Sequence, residues 1–212
     1  TLPCLEHHYR PPLPSGLTAM TAIILASASP RRRELLAQIG VRFRQQVAEI
    51  DETPLDNEMP QDYVARLALR KARAVRDTLG DDVIPVLGAD TAVVADGRTL
   101  GKPADAGAAR EMLGLLSGRR HSVFSAVALV GEGEAVEVNE SSVWFRTISP
   151  DEIDAYWRTG EPADKAGGYG IQGLGAIFIE RLEGSYSGVM GLPLYETAHL
   201  LQTFGIRLLD PL

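Results

Sequence analysis

The chain has 212 residues, 45% hydrophobic and 23% charged, which is the composition of a globular protein rather than a disordered chain. Its one cysteine excludes an internal disulfide framework, and no apolar run reaches the ~18 residues that span a bilayer. The lone cysteine suits a reducing cytosol, and without a long apolar run we expect no membrane partner. The net charge is −7, from 28 acidic and 21 basic residues, so we expect no nucleic-acid partner, with any anionic substrate held by local cations or a metal.

Residues 1–19 contain four prolines and no hydrophobic periodicity, so we predict a flexible N-terminal extension there. One catalytic domain is predicted over residues 20–212, and Met20, just before the first strand pattern, is the expected natural start. Cys4, His7 and His8 resemble metal ligands. A fourth ligand is missing, however, and the segment lacks any fold signal, so we predict no metal site there.

The rest of the chain alternates strand and helix patterns. First come a strand (22–26), a helix (30–39) ended by Gly40, an extended segment (41–50), a long helix (61–79) and a strand (83–87). A hairpin (91–95 and 98–100) turns at Asp96-Gly97, before a helix (105–116) and two long strands (121–130 and 135–147). A helix opened by Ser149 and Glu152 as a capping box stops before Gly160, and a strand (176–182), a helix (194–204) and a short strand (206–209) follow. This order predicts an α/β fold with a mixed, twisted sheet flanked by helices.

A serine- and arginine-rich turn follows the first strand. Ser27, Ser29, Arg31, Arg32 and Arg33 lie where the first predicted strand passes into the first helix. Cations in the first turn oppose the helix dipole, so a sequence selected for stability alone would carry Asp or Glu there. Backbone N–H groups, hydroxyls and guanidinium groups together predict an anion site, most naturally for phosphate. In the alternative interpretation, Ser29 is only a helix cap and the arginines are solvated.

A second candidate site joins an aspartate to a lysine. Asp90 lies in Gly88-Ala89-Asp90-Thr91 at the expected end of a strand, and Lys102 follows the hairpin in Gly101-Lys102-Pro103. A carboxylate that holds Mg²⁺ or orients water, with a lysine that neutralises oxyanions, suits a metal-bound phosphate. Alternatively, Asp90 is a turn or cap residue. The spacing of Gly97 and Gly101 is one residue short for a phosphate-binding P-loop, so that motif is rejected.

The third candidate is the glycine-rich stretch over residues 164–173. Gly168, Gly170 and Gly173 spell a dinucleotide-binding pattern, but no strand precedes it and no helix follows, so we reject that function. We interpret the glycines as allowing close backbone approach to a ligand. Lys165 would meet a phosphate, and the Gln172 amide would contact a base edge.

Two further residues stay open from the local pattern. Lys71 lies on the apolar stripe of its predicted helix. Either its aliphatic stem packs on the apolar surface while its ammonium reaches solvent, or its ammonium points into a site. Glu52 lies in an acidic loop and is either solvated or a second metal ligand.

Seven motifs in this order resemble the Maf family of nucleoside triphosphate pyrophosphatases. They are LASASPRRRELL (25–36), YVARLALRKA (63–72), LGADT (87–91), GKP (101–103), LSGRRH (116–121), GEPADKAGGYGIQG (160–173) and GLPLYET (191–197). The resemblance implies an elongated, two-lobed α/β fold with a central cleft, related to that of the inosine triphosphate pyrophosphatases. It also implies hydrolysis between the α- and β-phosphates of a nucleotide, a divalent cation (Mg²⁺, Mn²⁺ or Co²⁺), a cytoplasmic location and a homodimer.

The resemblance also assigns roles to residues. It implies that Asp90 and Lys102 are catalytic and that Asp90 and Glu52 hold the metal. The implied substrate-binding residues are Ser27, Arg31, Arg32, Lys71, Thr91, Lys165 and Gln172. The glycine-rich stretch is similar to that of the branch preferring dTTP and UTP. Two other functions stay open: a regulatory nucleotide-binding protein of septum formation that needs no turnover, and a hydrolase of non-standard nucleotides such as inosine triphosphate.

Overall fold

The computed structural model describes residues 22–80 and 84–209. The predicted extension, with Cys4, His7 and His8, lies outside the described residues. The strands are β1 (Ile23–Leu25), β2 (Phe43–Gln45), β3 (Val86–Ala95), β4 (Arg98–Leu100), β5 (Arg120–Val130), β6 (Glu134–Phe145) and β7 (Ile179–Glu183). The α-helices are α1 (Pro30–Gln38), α2 (Pro60–Arg76), α3 (Ala106–Leu116), α4 (Pro150–Arg158), α5 (Tyr186–Met190) and α6 (Leu194–Thr203). Three short 3₁₀ turns cover Glu161–Asp164, Ala166–Gly168 and Leu174–Phe178.

The seven strands form one mixed sheet in the order β2-β1-β3-β5-β6-β7, with β4 paired to β3. β1 is parallel to both β2 and β3, while the remaining pairs are antiparallel. The predicted mixed α/β sheet is therefore confirmed. None of the helices within residues 22–80 and 84–209 has the length and apolar character needed to cross a membrane.

One edge of β3 is split between two short partners. β1 pairs with β3 only at Val86 and Leu87, and β4 pairs with it from Val93 to Ala95. The opposite edge pairs with β5 along residues 86–94. The stretch 88–92 therefore has no strand on the first edge among the described residues, and this gap exposes the middle of a buried strand to a cleft.

Two hydrophobic clusters flank this gap. One packs the first half of β3 and the last half of β5 against α1 and α6, through residues such as Leu87, Leu129 and Leu200. The other packs the ends of β3 and β6 against α3 and α4, through residues such as Val93 and Phe145. Residues of both clusters line the cleft, such as Val93 of the second cluster and Met190, which packs on the first.

Local signals in the sequence explain several element boundaries. The Oγ atom of Ser149 accepts a hydrogen bond from the Glu152 N–H, and the Glu152 side chain accepts one from the Ser149 N–H, which confirms the capping box. Asp96 and Gly97 both have positive φ, at 49° and 72°, as a type I′ hairpin turn requires.

The structure corrects four predicted elements. Segments 83–87 and 91–95 are not two strands, because the described part is the single strand β3 and the Gly88-Ala89-Asp90 sequence does not break it. Within 176–182, the first residues belong to a 3₁₀ turn and only β7 is extended. Residues 206–209 form no strand. The short helix α5, capped by the Ser185 side chain, was not predicted.

Helix α2 approaches β3 closely at Gly88. A Cβ atom at this position would overlap the Ala68 carbonyl oxygen and would lie 2.9 Å from the Ala72 nitrogen. Glycine is therefore required by packing rather than by its backbone conformation. Because alternate residues of a strand share a face, Asp90 points to the same side as Gly88, toward α2.

Candidate active site

A cavity of about 600 Å³ opens at the gap in β3. The ten residues to which the family resemblance assigns a role all line it: Ser27, Arg31, Arg32, Glu52, Lys71, Asp90, Thr91, Lys102, Lys165 and Gln172. Five cationic side chains and three carboxylates face the cavity among the described residues, although the whole chain has a net charge of −7. The local excess of positive charge favours an anionic ligand.

Asp90 and Lys71 form the centre of the cavity. The Lys71 ammonium lies 2.6 Å from Oδ1 of Asp90 and 2.7 Å from Oε1 of Glu52. Lys71 comes from α2, Asp90 from β3 and Glu52 from the loop before α2. This contact settles the open question about Lys71: its ammonium points into the site.

Asp90 is buried, with 7% of its surface exposed, and it lies in the middle of β3. Its predicted position at a strand end is therefore wrong, and the gap beside β3, not a strand terminus, gives it access to the cavity. Burial raises the pKa of Asp90, against the lowering effects of the Lys71 and Arg32 charges. The carboxylate is thus a stronger proton acceptor than an exposed aspartate.

Arg32 is held by three protein oxygens. Its Nε donates to the Gly191 carbonyl at 2.8 Å, one Nη donates to Ser27 Oγ at 3.1 Å, and the other donates to Thr91 Oγ1 at 3.3 Å. Ser125 Oγ lies 3.0 Å from Thr91 Oγ1 and extends the network to β5. A guanidinium group has five N–H donors, so two remain for a ligand. Ser27 and Thr91 therefore orient Arg32 in addition to lining the cavity.

The turn before α1 has features of both interpretations of its sequence, the anion site and the helix cap with solvated arginines. Ser29 Oγ accepts a hydrogen bond from the Arg32 N–H, so Ser29 is the helix cap of the alternative interpretation. Arg33 is exposed and lies away from the cavity lining. Arg31 and Arg32 nevertheless face the cavity, which places two cations and the start of a helix at one wall.

The glycine-rich stretch brings Lys165 to the cavity beside Asp164. The Lys165 ammonium donates to the Glu161 carbonyl oxygen and to Oδ1 of Asp164, both at 2.7 Å. The second oxygen of Asp164 accepts from Arg31 Nη1 at 3.2 Å. An ion pair between Asp164 and Arg31 thus joins the 3₁₀ turn after α4 to helix α1.

Lys102 is positioned by the loop that carries Lys165. The Gly167 N–H donates to the Gly101 carbonyl oxygen at 3.0 Å, which ties the loop after β4 to the glycine-rich stretch. Gly167 has a φ of +71°, and a Cβ atom there would lie 2.9 Å from a Val93 methyl group. Both constraints require glycine, so this contact holds the two lysine-bearing loops together.

The other glycines of the stretch make room for the protein itself. A Cβ at Gly173 would lie 2.5 Å from an oxygen of the Glu161 carboxyl group, and one at Gly170 would lie 2.8 Å from the Lys165 side chain. Both glycines therefore lie close to neighbouring side chains, and their close approach to a ligand stays a prediction. Gln172 is exposed and lines the cavity, so its amide is available to a ligand.

Glu161 anchors this stretch. Its carboxylate accepts hydrogen bonds from the Tyr156 hydroxyl at 2.7 Å, the Leu174 N–H at 2.8 Å and the Gly175 N–H at 3.1 Å. Sequence analysis missed Glu161 and Asp164 as site residues, because an acidic residue beside lysines in an acidic chain is an ordinary pattern. Only the fold shows which groups they contact.

The donor set at Asp90 and Glu52 fits a divalent cation bound together with phosphate. Both carboxylates converge on one cation, the Lys71 ammonium. No cluster of three or more histidine, cysteine, aspartate or glutamate side chains suited to a metal occurs in the described part of the chain. Magnesium is commonly held by one or two carboxylates plus substrate phosphates, so two carboxylates suffice when phosphate oxygens complete the shell.

The fold and the site define an α/β protein with a cleft lined by five cationic side chains at a gap in its sheet. The family model described as "Maf-like protein" matches residues 22–204. The chain belongs to the Maf family, as the motifs predict.

Curated relatives and solved structures extend the comparison. The chain is 53% identical over 184 residues to the "dTTP/UTP pyrophosphatase" of Pseudoalteromonas translucida, covering 86% of this chain and 97% of that one. It is 54% identical over 188 residues to the protein of the same name from Hahella chejuensis, covering 88% and 94%. The Ham1 protein of Staphylococcus aureus matches with a TM-score of 0.42 and 16% identity, over 58% of this chain and 71% of that chain.

Proposed function

We propose that this protein hydrolyses the α–β phosphoanhydride of nucleoside triphosphates, with dTTP and UTP preferred, to give the monophosphate and pyrophosphate. The observation that carries the proposal is the convergence of Asp90, Lys71 and Glu52 in a cavity lined by four further cations. The relatives named dTTP/UTP pyrophosphatase support the substrate and the reaction.

The cations of the cleft bind the phosphates. A nucleoside triphosphate brings about four negative charges, and Arg31, Arg32, Lys71, Lys102 and Lys165 all line the cavity. Arg31 and Arg32 come from one wall, while Lys102 and Lys165 come from loops that the Gly101–Gly167 hydrogen bond joins. Cations on both sides of a polyphosphate neutralise the charge that grows on the leaving pyrophosphate.

Asp90 orients the attacking water. Its carboxylate must be ionised for this role, and the neighbouring Lys71 and Arg32 charges favour the ionised form against the effect of burial. A divalent cation bound by Asp90 and Glu52 would supply Lewis-acid polarisation of the phosphate and a more acidic water. Water attacks the α-phosphorus and releases a proton to solvent, the bond to the bridging oxygen breaks, and pyrophosphate leaves with the electron pair.

Base choice depends on Gln172. Its amide presents one donor direction and one acceptor, which match the O4 and N3–H edge of uracil or thymine. If the Gln172 amide rotates, it also matches cytosine. Selectivity for uracil or thymine over cytosine therefore requires that the glycine-rich stretch, which Glu161 anchors, holds the amide in one orientation. A wrong base leaves polar groups unpaired, at a cost of about 1–3 kcal/mol for each lost partner.

A substrate panel tests the proposed function. We expect kcat/KM, measured with Mg²⁺, to be higher for dTTP and UTP than for CTP and much higher than for ATP, GTP and 7-methyl-GTP. Gln172→Glu should reduce the pyrimidine preference while the dependence on Mg²⁺ stays unchanged. A preference for a purine nucleotide would contradict the assignment, and absence of any turnover would favour a regulatory binding protein.

The assembly and location are further proposals. We propose a cytoplasmic homodimer, because the family resemblance implies both properties. The single cysteine of the chain is also compatible with a reducing compartment. Light scattering coupled to gel filtration is expected to give twice the chain mass of 22.9 kDa. A monomer mass at micromolar concentration would overturn the dimer without affecting the proposed reaction.

A further inference from the structure

Asp164 lies between two cations that the proposed reaction needs for phosphate. Its two carboxylate oxygens are used separately: Oδ1 is 2.7 Å from the Lys165 ammonium and Oδ2 is 3.2 Å from Arg31 Nη1. Arg31 comes from α1 and Lys165 from the glycine-rich stretch, and all three side chains line the cavity. One carboxylate thus engages both cations as two oxygens of a phosphate group would.

The exposures of the three side chains differ. The Arg31 and Lys165 side chains are only 22% and 12% exposed, whereas that of Asp164 is 62% exposed. The cations are therefore held inside the cleft, and Lys165 has a second acceptor in the Glu161 carbonyl group, 2.7 Å from its ammonium. Asp164 has solvent beside it into which its short side chain can turn.

We propose that Asp164 occupies a phosphate subsite in the nucleotide-free protein and is displaced when a polyphosphate binds Arg31 and Lys165. The proposal rests on the proposed function, because it names the group that the substrate must replace. A phosphate carries more charge and more acceptor oxygens than one carboxylate, so it wins the competition for the two cations. Asp164 keeps the cations neutralised and in place until then.

Competition and simple positioning predict opposite effects of removing the carboxylate. If Asp164 competes with phosphate, Asp164→Asn frees two cations and tightens polyphosphate binding. If Asp164 only orients Arg31 and Lys165, the same variant weakens binding. Exposed ion pairs are weak, so we expect the dissociation constant to fall by about three- to fivefold.

The test is calorimetric titration of the full chain with inorganic tripolyphosphate in EDTA, and with the non-hydrolysable α,β-imido analogue of dUTP in Mg²⁺. The matched control is Asp96→Asn, which removes the same charge from an Asp–Arg ion pair with Arg119 whose aspartate is also 62% exposed but does not line the cavity. Asn also suits the positive φ at position 96. The control should bind within about twofold of the wild type.

Unchanged or weaker binding of both probes by Asp164→Asn would overturn the proposal. Melting curves verify that Asp164→Asn is folded. If Asp164→Asn does not fold, Asp164→Ala replaces it, because the tested change is the loss of the carboxylate charge. Steady-state assays should show a lower KM for dTTP without a rise in kcat. Pyrophosphate release by the wild type tests the proposed function separately, because tripolyphosphate binding requires no nucleotide chemistry.

Discussion

The Lys71 ammonium lies 2.6 Å from the Asp90 carboxylate, in an ion pair that joins helix α2 to the middle of strand β3. The pair forms because α2 packs directly on β3 where Gly88 has no side chain. Asp90 then lies on the strand face that meets the helix, two residues after Gly88. The geometry of the active site thus depends on a packing contact outside the cavity.

Substitution of Gly88 tests this dependence. Gly88→Ala would place a Cβ against the Ala68 carbonyl oxygen and the Ala72 nitrogen, so helix and strand must separate. We expect the free energy of unfolding to fall by about 1–3 kcal/mol, together with a loss of kcat, since the Lys71–Asp90 pair is stretched. Denaturant unfolding and steady-state kinetics measure the two effects.

Gly114→Ala is the control for that experiment. Gly114 lies in α3, is exposed, and has open space around the position of a Cβ atom. Replacing a helical glycine with alanine should raise the free energy of unfolding by about 0.5–1 kcal/mol and leave kcat unchanged. Equal effects of the two substitutions would show that the close approach at Gly88 does not position the site.

Asp90→Asn tests the carboxylate directly. The amide has the same shape but neither charge nor basicity, so we expect the fold to persist and kcat to fall by about 10²-fold or more. Circular dichroism and pyrophosphate release measure the two properties, with Asp96→Asn as a control of equal charge change. Activity close to that of the wild type would remove Asp90 from the chemistry.

His121 makes the stability of the protein depend on pH. It is 2% exposed, its Nε2 lies 2.8 Å from the Tyr169 hydroxyl, and burial lowers its pKa to about 4 from 6.5. The protonated ring carries an N–H at both nitrogens, and Nδ1 has no hydrogen-bond partner among the described residues. The unfolded chain therefore binds the proton more readily than the folded protein does.

The sign of the effect follows from that difference. Stability is fully present above the unfolded pKa of His121 and is lost as pH falls from about 6.5 to about 4, by at most about 3 kcal/mol. Urea unfolding across this range should show a slope that His121→Gln reduces. An equal slope in the His121 variant would contradict this explanation.

The sequence predicts the elements and the site residues better than it predicts their contacts. Capping at Ser149, the turn at Asp96 and the long helix before β3 follow from local chemistry, and family motifs bring ten cavity residues together correctly. Asp90 was placed at a strand end because a polar residue after glycine is typical of a turn. Its partner Lys71 and the gap beside β3 depend on the pairing of distant strands, which local patterns do not encode.

The roles of side chains that position other site residues were the hardest to predict from the sequence. Asp164 and Glu161 are acidic groups in an acidic chain, and their contacts with Arg31 and with the Leu174 and Gly175 amides appear only once α1, α4 and the glycine-rich stretch are brought together. Thr91 was predicted as a substrate-binding residue, but its contact with Arg32 could not be predicted. Its hydroxyl accepts a hydrogen bond from Arg32.

Hydrolysis of dTTP in ¹⁸O-labelled water tests the central claim most directly. Attack of water on the α-phosphorus at Asp90 predicts dTMP that carries one ¹⁸O atom and unlabelled pyrophosphate, detected by mass spectrometry. The Asp90→Asn variant should give little of either product. Formation of dTDP and orthophosphate, or label in the pyrophosphate with none in dTMP, would contradict cleavage of the α–β bond by attack at the α-phosphorus.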